Sequence, residues 1–198
     1  EVQKLMEIAN IKGWDKGKCQ ATLDLEEAQK VADHLGIELI EVDFVKEYWD
    51  KVFSVFLEQI KTGITPNPDI LCNSQIKFGE FVNYISKNYP EIEYYATGHY
   101  ADIKVKRGNY YMAEATDDWK DQTYFLAEID KDLLPKIKFP LGKLPKPMVR
   151  EIANEINLPN KDRKDSMGIC FIGKRNFQEF MSNYIEEVEG DFINIDTK

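Results

Sequence analysis

The chain has 198 residues, 43% of them hydrophobic, which is enough for one globular domain with a core and excludes disordered and fibrous proteins. No stretch approaches the roughly 20 apolar residues of a membrane-spanning helix, and three scattered cysteines exclude a disulfide framework and argue against structural zinc. The formal charge of −9, from 26 basic and 35 acidic residues, argues against nucleic-acid binding when the chain is taken as a whole.

The first half of the chain alternates short apolar runs with amphipathic helices, which predicts an α/β fold with a parallel sheet. Residues 5–11 and 38–44 are predicted strands. The helix between them has Asp24 as its predicted cap and ends at Gly36. Its apolar face repeats at helical spacing and consists of Leu25, Ala28, Ala32 and Leu35.

Two further helices and a short strand follow. The first helix ends near Gly63, the second runs through Ile76 and Ile85, and residues 94–97 form a predicted strand that leads into Gly98 and His99. The apolar face of the first helix consists of Tyr48, Val52, Phe56 and Ile60.

After residue 100 the alternation of strands and helices ends, and the pattern predicts a hairpin followed by two helices. Residues 101–105 and 110–113 flank a turn at residues 107–109, and Asn176 is the predicted cap of the last helix. The apolar faces of these helices are Val149, Ile152, Ala153 and Ile156, then Phe177, Phe180, Met181 and Tyr184. We expect residues 1–185 to form one domain and residues 186–198 to begin the next.

Positive charge is concentrated in residues 131–175, where eleven Lys or Arg stand against five Asp or Glu. If the chain meets a phosphate backbone, we expect this segment, and no other part of the chain, to meet it. A solvated basic face without a partner explains the same pattern.

The least generic segment is residues 65–73, Thr-Pro-Asn-Pro-Asp-Ile-Leu-Cys-Asn. Its two prolines stiffen a loop ahead of a helix start. Cys72 would be activated there by the helix dipole, with Asp69 one turn away for proton transfer. The structural alternative is that Asp69 is an N-cap and Cys72 a small core residue.

A second segment places glycines on both sides of Cys170, within residues 165–173. This indicates close approach by a ligand or a sharp turn, although a buried strand cysteine fits as well. Gly98 and His99 follow a strand, where open α/β sheets bind ligands, but a lone histidine there is often structural.

Together these segments resemble the tRNA-specific 2-thiouridylases of bacteria and mitochondria. The resemblance rests on residues 65–73 and on four further blocks in the family's order, at residues 96–101, 120–126, 139–147 and 164–173. It implies a Rossmann-like open parallel sheet of the ATP-pyrophosphatase (PP-loop) type, with a small hairpin and helical additions. It also implies transfer of persulfide sulfur to C2 of the wobble uridine through an adenylated intermediate.

The resemblance assigns roles to individual residues. Cys170 corresponds to the persulfide carrier, Cys72 to the thiol that attacks it and closes a transient disulfide, and Asp69 to the proton-transfer group. The ATP site corresponds to Gly98 and Ile11. The positions that correspond to contacts with tRNA or its target base are Asn67, Pro68, Asp69, His99, Lys120, Asp121 and Gln122.

The expected cofactor is ATP, accompanied by Mg²⁺, and no resident metal site is expected. The expected partners are tRNA and a sulfur-relay protein or cysteine desulfurase, and the expected compartment is the bacterial cytoplasm or, alternatively, the mitochondrion. The family's pyrophosphate loop and C-terminal domains have no counterpart in these residues, so we expect both to lie outside them. Three alternatives stay open: another ATP pyrophosphatase that adenylates a small molecule, a non-catalytic module that binds tRNA or a sulfur carrier, and a redox-active disulfide protein.

Overall fold

The computed structural model describes residues 20–164, 176–186, 190, 193–194 and 196. The predicted strand at residues 5–11, with Ile11, and the segment that holds Cys170 lie outside the described residues. Within the described part of the chain, no helix is both long and apolar enough to cross a membrane.

Helix α1 is described over Gln20–Leu35, so the predicted cap Asp24 lies within it. The prediction for Asp24 is wrong, because this residue lies in the helix and not ahead of it. Its carboxylate accepts a hydrogen bond from Arg163 at 2.5 Å. The predicted end is confirmed. Gly36 adopts φ +63°, and the Ile37 amide donates to the Ala32 carbonyl at 3.0 Å, which closes the helix with a left-handed residue.

Residues 38–44, a predicted strand, form no strand ladder with any described residue. A strand is defined by a hydrogen-bonded neighbour, and the neighbour predicted for this segment lies outside the described residues. Val42 and Phe44 are nevertheless buried, which accounts for the apolar pattern that suggested a strand.

The next two predicted helices are confirmed, and each contains a wider π-helical stretch that the pattern did not predict. The first runs through α2 (Val45–Tyr48), a π-helical turn (Trp49–Phe53) and α3 (Ser54–Lys61). The second runs through α4 (Pro68–Leu71), a π-helical stretch (Cys72–Glu80) and α5 (Phe81–Asn88). Gly79 is required there, since a Cβ would lie 2.9 Å from the Ser74 carbonyl oxygen.

The sheet is small. Strand β1 (Tyr95–Ala96) pairs in parallel with β4 (Ile137–Lys138), which the sequence did not predict, and the Thr97 amide extends the pairing to the Lys138 carbonyl at 3.1 Å. This parallel pair beside helices confirms the α/β class.

The predicted hairpin is confirmed as β2 (Asp102–Lys106) and β3 (Asn109–Ala113). Its loop has two residues, Arg107 at φ 52° and Gly108 at φ 78°, rather than the three that were predicted. Positive φ at both positions matches a type I′ turn, whose twist suits paired strands.

Short elements complete the fold. Two 3₁₀ turns, Thr123–Leu126 and Lys131–Lys136, precede α6 (Lys146–Glu155) and α7 (Phe177–Met181). The Asn176 side chain accepts from the Glu179 amide at 3.3 Å, which confirms the predicted cap.

The core has two principal clusters of buried side chains. Both include residues of the helical segment that runs from α4 through α5. The first contains Cys72 and Ile76 together with residues of the α2–α3 segment and of α7. The second contains Phe78 and joins β4 to the second 3₁₀ turn; its other members are Ala101, Leu126, Leu134, Ile137 and Phe139. The first half of this helical segment is therefore packed on both sides.

Candidate functional site

The stiff segment before α4 positions the start of the site. Asn67 is extended at φ −114° and ψ 100°, and its side-chain oxygen accepts from the Asp69 amide at 3.0 Å. Pro68 occupies the first helical position, where its missing N–H costs nothing, and it is buried. The alternative that made Asp69 the N-cap is therefore wrong, because Asn67 is the cap.

Cys72 lies in the second turn of this segment and not in the first turn, where the sequence placed it. Its side chain has 0% exposure and belongs to the first core cluster. The influence of the helix dipole falls off after the first turn. Activation by the dipole is thus weaker than predicted, and packing dominates the surroundings of the sulfur.

Asn73 is a buried polar residue that the sequence analysis did not single out as a site residue. It is 2% exposed, and its Nδ2 donates to the Asp69 carbonyl at 2.9 Å. Its Oδ1 is buried without a hydrogen-bond partner among the described residues. An unsatisfied buried acceptor costs about 1–3 kcal/mol, and such atoms occur at sites that are completed by a ligand or water.

The 3₁₀ turn Thr123–Leu126 packs against α4, and this brings the sequence block at residues 120–126 to the start of that helix. Asp121 holds this loop: its Oδ2 accepts from the Ala115 amide at 2.7 Å, and its Oδ1 accepts from the Thr123 amide at 3.1 Å. Gln122 forms two hydrogen bonds with Tyr100. Its side-chain Oε1 accepts from the Tyr100 amide at 3.0 Å, and its backbone amide donates to the Tyr100 carbonyl at 2.8 Å. Both side chains position the loop, while Lys120 is half-buried beside them.

His99 lies between two aromatic rings at the end of β1. Its Nδ1 is 2.8 Å from Thr97 Oγ1, and its ring centroid lies 6.2 Å from that of Phe78 and 6.3 Å from that of Phe139. Burial, and secondarily the nearby charge of Lys77, lower the pKa of His99 to about 3. The ring is thus neutral at physiological pH and cannot attract phosphate by charge.

Two glycines near His99 differ in how much space the structure leaves for a side chain. Gly98 is exposed after β1, and a Cβ added there would meet only Leu141 Cδ1, at 3.9 Å. A Cβ on Gly142 would lie 1.8 Å from the Ala101 carbonyl oxygen, so only glycine fits. Gly142 was part of the matched block at residues 139–147 but was not predicted to support the site, because sequence does not reveal a close approach of two distant backbones.

The start of α4, the loop at residues 120–126 and the end of β1 therefore lie close together in the structure. Cys170 lies outside the described residues. It precedes Phe177 by seven residues, which span at most roughly 25 Å when extended. Phe180 and Met181 of α7 belong to the same core cluster as Cys72, so the chain beyond Cys170 returns to this cluster.

Several cations of the basic segment at residues 131–175 have partners within the chain. Lys138 Nζ lies 4.5 Å from the Tyr94 ring centroid, and Arg150 donates to the carbonyls of Lys161 and Arg163 at 2.6 and 2.5 Å. Arg163 also pairs with two carboxylates of α1, those of Asp24 and Glu27, and this raises its pKa. Cations that are held by partners within the chain are less available for a phosphate track than the sequence count suggests.

These features define an α/β domain whose candidate site lies at the carboxyl end of a parallel strand pair, beside a capped helix start. The chain belongs to the family described as tRNA methyl transferase HUP domain, whose sequence profile matches residues 3–174.

Several curated relatives are named tRNA-specific 2-thiouridylase MnmA, which confirms the resemblance inferred from the sequence. The protein of Malacoplasma penetrans is 53% identical over 90% of this chain and 49% of its own length. Those of Geobacillus kaustophilus and Ureaplasma parvum are 47% and 49% identical, over 94% and 89% of this chain and 51% and 46% of their own lengths. The chain thus spans about half the length of the curated relatives that it matches.

Proposed function

We propose that the whole protein to which this chain belongs replaces the C2 oxygen of the tRNA wobble uridine with sulfur, at the cost of ATP. The observation that carries the proposal is the arrangement of the α4 start: Asn67 caps it, Asp69 follows, and the buried Cys72 lies one turn further in the core cluster that also contains α7. The names of the relatives support the same reaction.

In the proposed reaction, Cys170 carries a persulfide whose terminal sulfur attacks C2 of the uridine. ATP supplies the chemistry that makes the uridine O2 a leaving group, which departs as part of AMP. The Cys72 thiolate then attacks the Cys170 sulfur and breaks the S–S bond, whose electron pair stays on the sulfur bound to C2. The products are 2-thiouridine and a Cys72–Cys170 disulfide, which a dithiol reductant reopens.

Asp69 is the proposed proton acceptor in this sequence. It lies one turn before Cys72 on the same helical segment, so a proton leaving the thiol or the uridine has a carboxylate nearby. Asn67 and Pro68 are the proposed contacts of the target base. His99 and residues 120–122 complete the tRNA site, with Asp121 and Gln122 acting mainly by holding the loop.

One described residue, Gly98, supports the proposal of an ATP site of the PP-loop type. Gly98 lies at the carboxyl end of β1, where α/β sheets bind nucleotides, and a Cβ added there would meet only Leu141 Cδ1, at 3.9 Å. We propose that Gly98 and Ile11 line this site, that Mg²⁺ accompanies ATP, and that the complete sheet is Rossmann-like. The catalytic domain is proposed to span residues 1–185, with a tRNA-binding region beginning at residues 186–198.

The proposed partners are tRNA and a protein that supplies persulfide sulfur, either a sulfur-relay protein or a cysteine desulfurase. The proposed compartment is the bacterial cytoplasm, with the mitochondrion as the alternative.

The test is mass spectrometry of wobble nucleosides after incubation of the full-length protein with unmodified tRNA, ATP and a persulfide donor. The proposal requires a nucleoside in which sulfur has replaced oxygen, and it requires that this product be absent when ATP is omitted. A methylated nucleoside, as the family description suggests, or an unchanged one would contradict it.

A further inference from the structure

The β2–β3 hairpin carries concentrated positive charge in an acidic chain. Lys104, Lys106 and Arg107 are all exposed, and Asp102 is the one acidic residue between positions 102 and 113. None of the three cations forms an ion pair within the described residues. They differ in this from Arg163, whose charge is neutralised internally.

The strand register places both lysines on one face of the hairpin. Three pairs share this face: Lys104 with Tyr111, Lys106 with Asn109, and Asp102 with Ala113 at the base of the hairpin. The opposite face packs through Ile103 and Met112 against the second core cluster. The basic face therefore points away from the core, and Tyr111 stands on it with 51% exposure.

Both strands of the hairpin connect at their base to residues of the candidate site. β2 begins two residues after Tyr100, which Gln122 holds, and β3 leads to Ala115, whose amide donates to Asp121. Each strand has five residues, so the hairpin extends roughly 14 Å from its base. The core-facing pair at its base and the type I′ turn at its tip fix its direction.

We propose that the β2–β3 hairpin is an arm that binds the phosphate backbone of tRNA while the target base lies in the site. The inference rests on the proposed function. The two lysines and Arg107 contact phosphates, and Tyr111 offers an exposed ring to a ribose or an unpaired base. Because most of the surface of a −9 chain repels RNA, a group of neighbouring exposed cations without ion pairs is a place where RNA can approach.

The test measures tRNA affinity of the full-length protein over a series of salt concentrations. The variant combines Lys104→Gln, Lys106→Gln and Arg107→Asn, since Asn tolerates the left-handed φ of 52° at the turn. We expect roughly tenfold weaker binding at moderate salt, and the slope of log K against log salt should fall in magnitude by about two.

The control removes the same charge elsewhere, through Lys30→Gln, Lys61→Gln and Lys87→Gln, all exposed on helices outside the site; Lys61 pairs with Glu58, whereas Lys30 and Lys87, like the hairpin cations, form no ion pair within the described residues. This control should keep wild-type affinity and slope. Equal binding by variant, control and wild type would overturn the inference. So would unchanged binding together with a lower melting temperature, which would assign the arm to contacts with the rest of the protein.

The two proposals fail differently. If the wild-type protein binds tRNA but makes no thiolated nucleoside, the proposed function fails while the comparison of slopes still tests the arm. If the wild-type protein thiolates tRNA and the variant binds as tightly as the control, only the arm is refuted.

Discussion

Protonation of His99 should destabilise the folded protein as the pH falls. Its pKa is lowered from the ordinary 6.5 to about 3 by burial, with a smaller contribution from Lys77. Between pH 6.5 and about pH 3, His99 binds a proton in the unfolded chain but stays neutral in the folded chain. Stability is therefore fully present above about pH 6.5 and is lost as the pH falls toward 3.

The size of the loss follows from linkage. Lowering the pH from about 7.5 to about 5 should remove about 2 kcal/mol, because each pH unit below 6.5 costs about 1.4 kcal/mol. This figure hardly depends on the folded pKa, since any value well below 5 leaves the folded ring neutral at the lower pH. Carboxylates contribute their own dependence, so a difference between variants is needed.

The assay compares urea unfolding of the wild type and His99→Gln at the two pH values. Gln keeps a hydrogen-bonding side chain but takes up no proton, so the pH-dependent loss should be about 2 kcal/mol smaller in this variant. His34→Gln removes the other histidine, which lies exposed on α1, and serves as the control. An NMR titration of the His99 ring that shows a midpoint near 6.5 would refute the reasoning.

Three further substitutions test the packing of the site. Gly142→Ala should destabilise the protein by roughly 3 kcal/mol or more, measured by thermal unfolding, since its Cβ would lie 1.8 Å from the Ala101 carbonyl oxygen. Asn67→Ala should cost about 1 kcal/mol in urea unfolding through loss of the cap on α4. Gln122→Ala should cost about 1–3 kcal/mol in urea unfolding by leaving the Tyr100 amide without its acceptor, and should weaken tRNA binding as the loop loosens.

The glycine and cap substitutions each have a matched control. Gly98→Ala should leave thermal stability unchanged, since its Cβ meets one atom at 3.9 Å, while it weakens ATP binding. Asn67→Asp should retain the cap and most of the stability. Equal melting temperatures for the two glycine variants, or full stability of Asn67→Ala and Gln122→Ala, would contradict the account of the site.

The sequence predicted those parts of the fold that depend on local patterns. The helix end at Gly36, the hairpin turn and the Asn176 cap each follow from a few neighbouring residues whose backbone preferences agree. The same holds for the stiff helix start at residues 65–73. The alternation of apolar runs with amphipathic helices predicted the α/β class, although β4, the partner strand of β1, was missed because it has only two residues.

Features set by tertiary contacts could not be predicted. The placement of Cys72 in the second turn depends on Asn67 rather than Asp69 being the cap, and both residue types cap helices well. Asp24 lies within α1 and pairs with a residue 139 positions away. The roles of Asp121 and Gln122 in holding the loop depend on hydrogen bonds to Ala115 and Tyr100 that no spacing rule reveals.

The measurement that tests the central claim most directly follows labelled sulfur in a single turnover of the full-length protein with tRNA and ATP. In the wild type, the label should pass from the protein to tRNA. Cys170→Ser should never acquire the label, and Cys72→Ser should hold it in a covalent protein–tRNA disulfide that a reductant releases as thiolated tRNA. Cys19→Ser should behave as wild type. Thiolated tRNA released at the wild-type rate by Cys72→Ser without reductant would contradict the account.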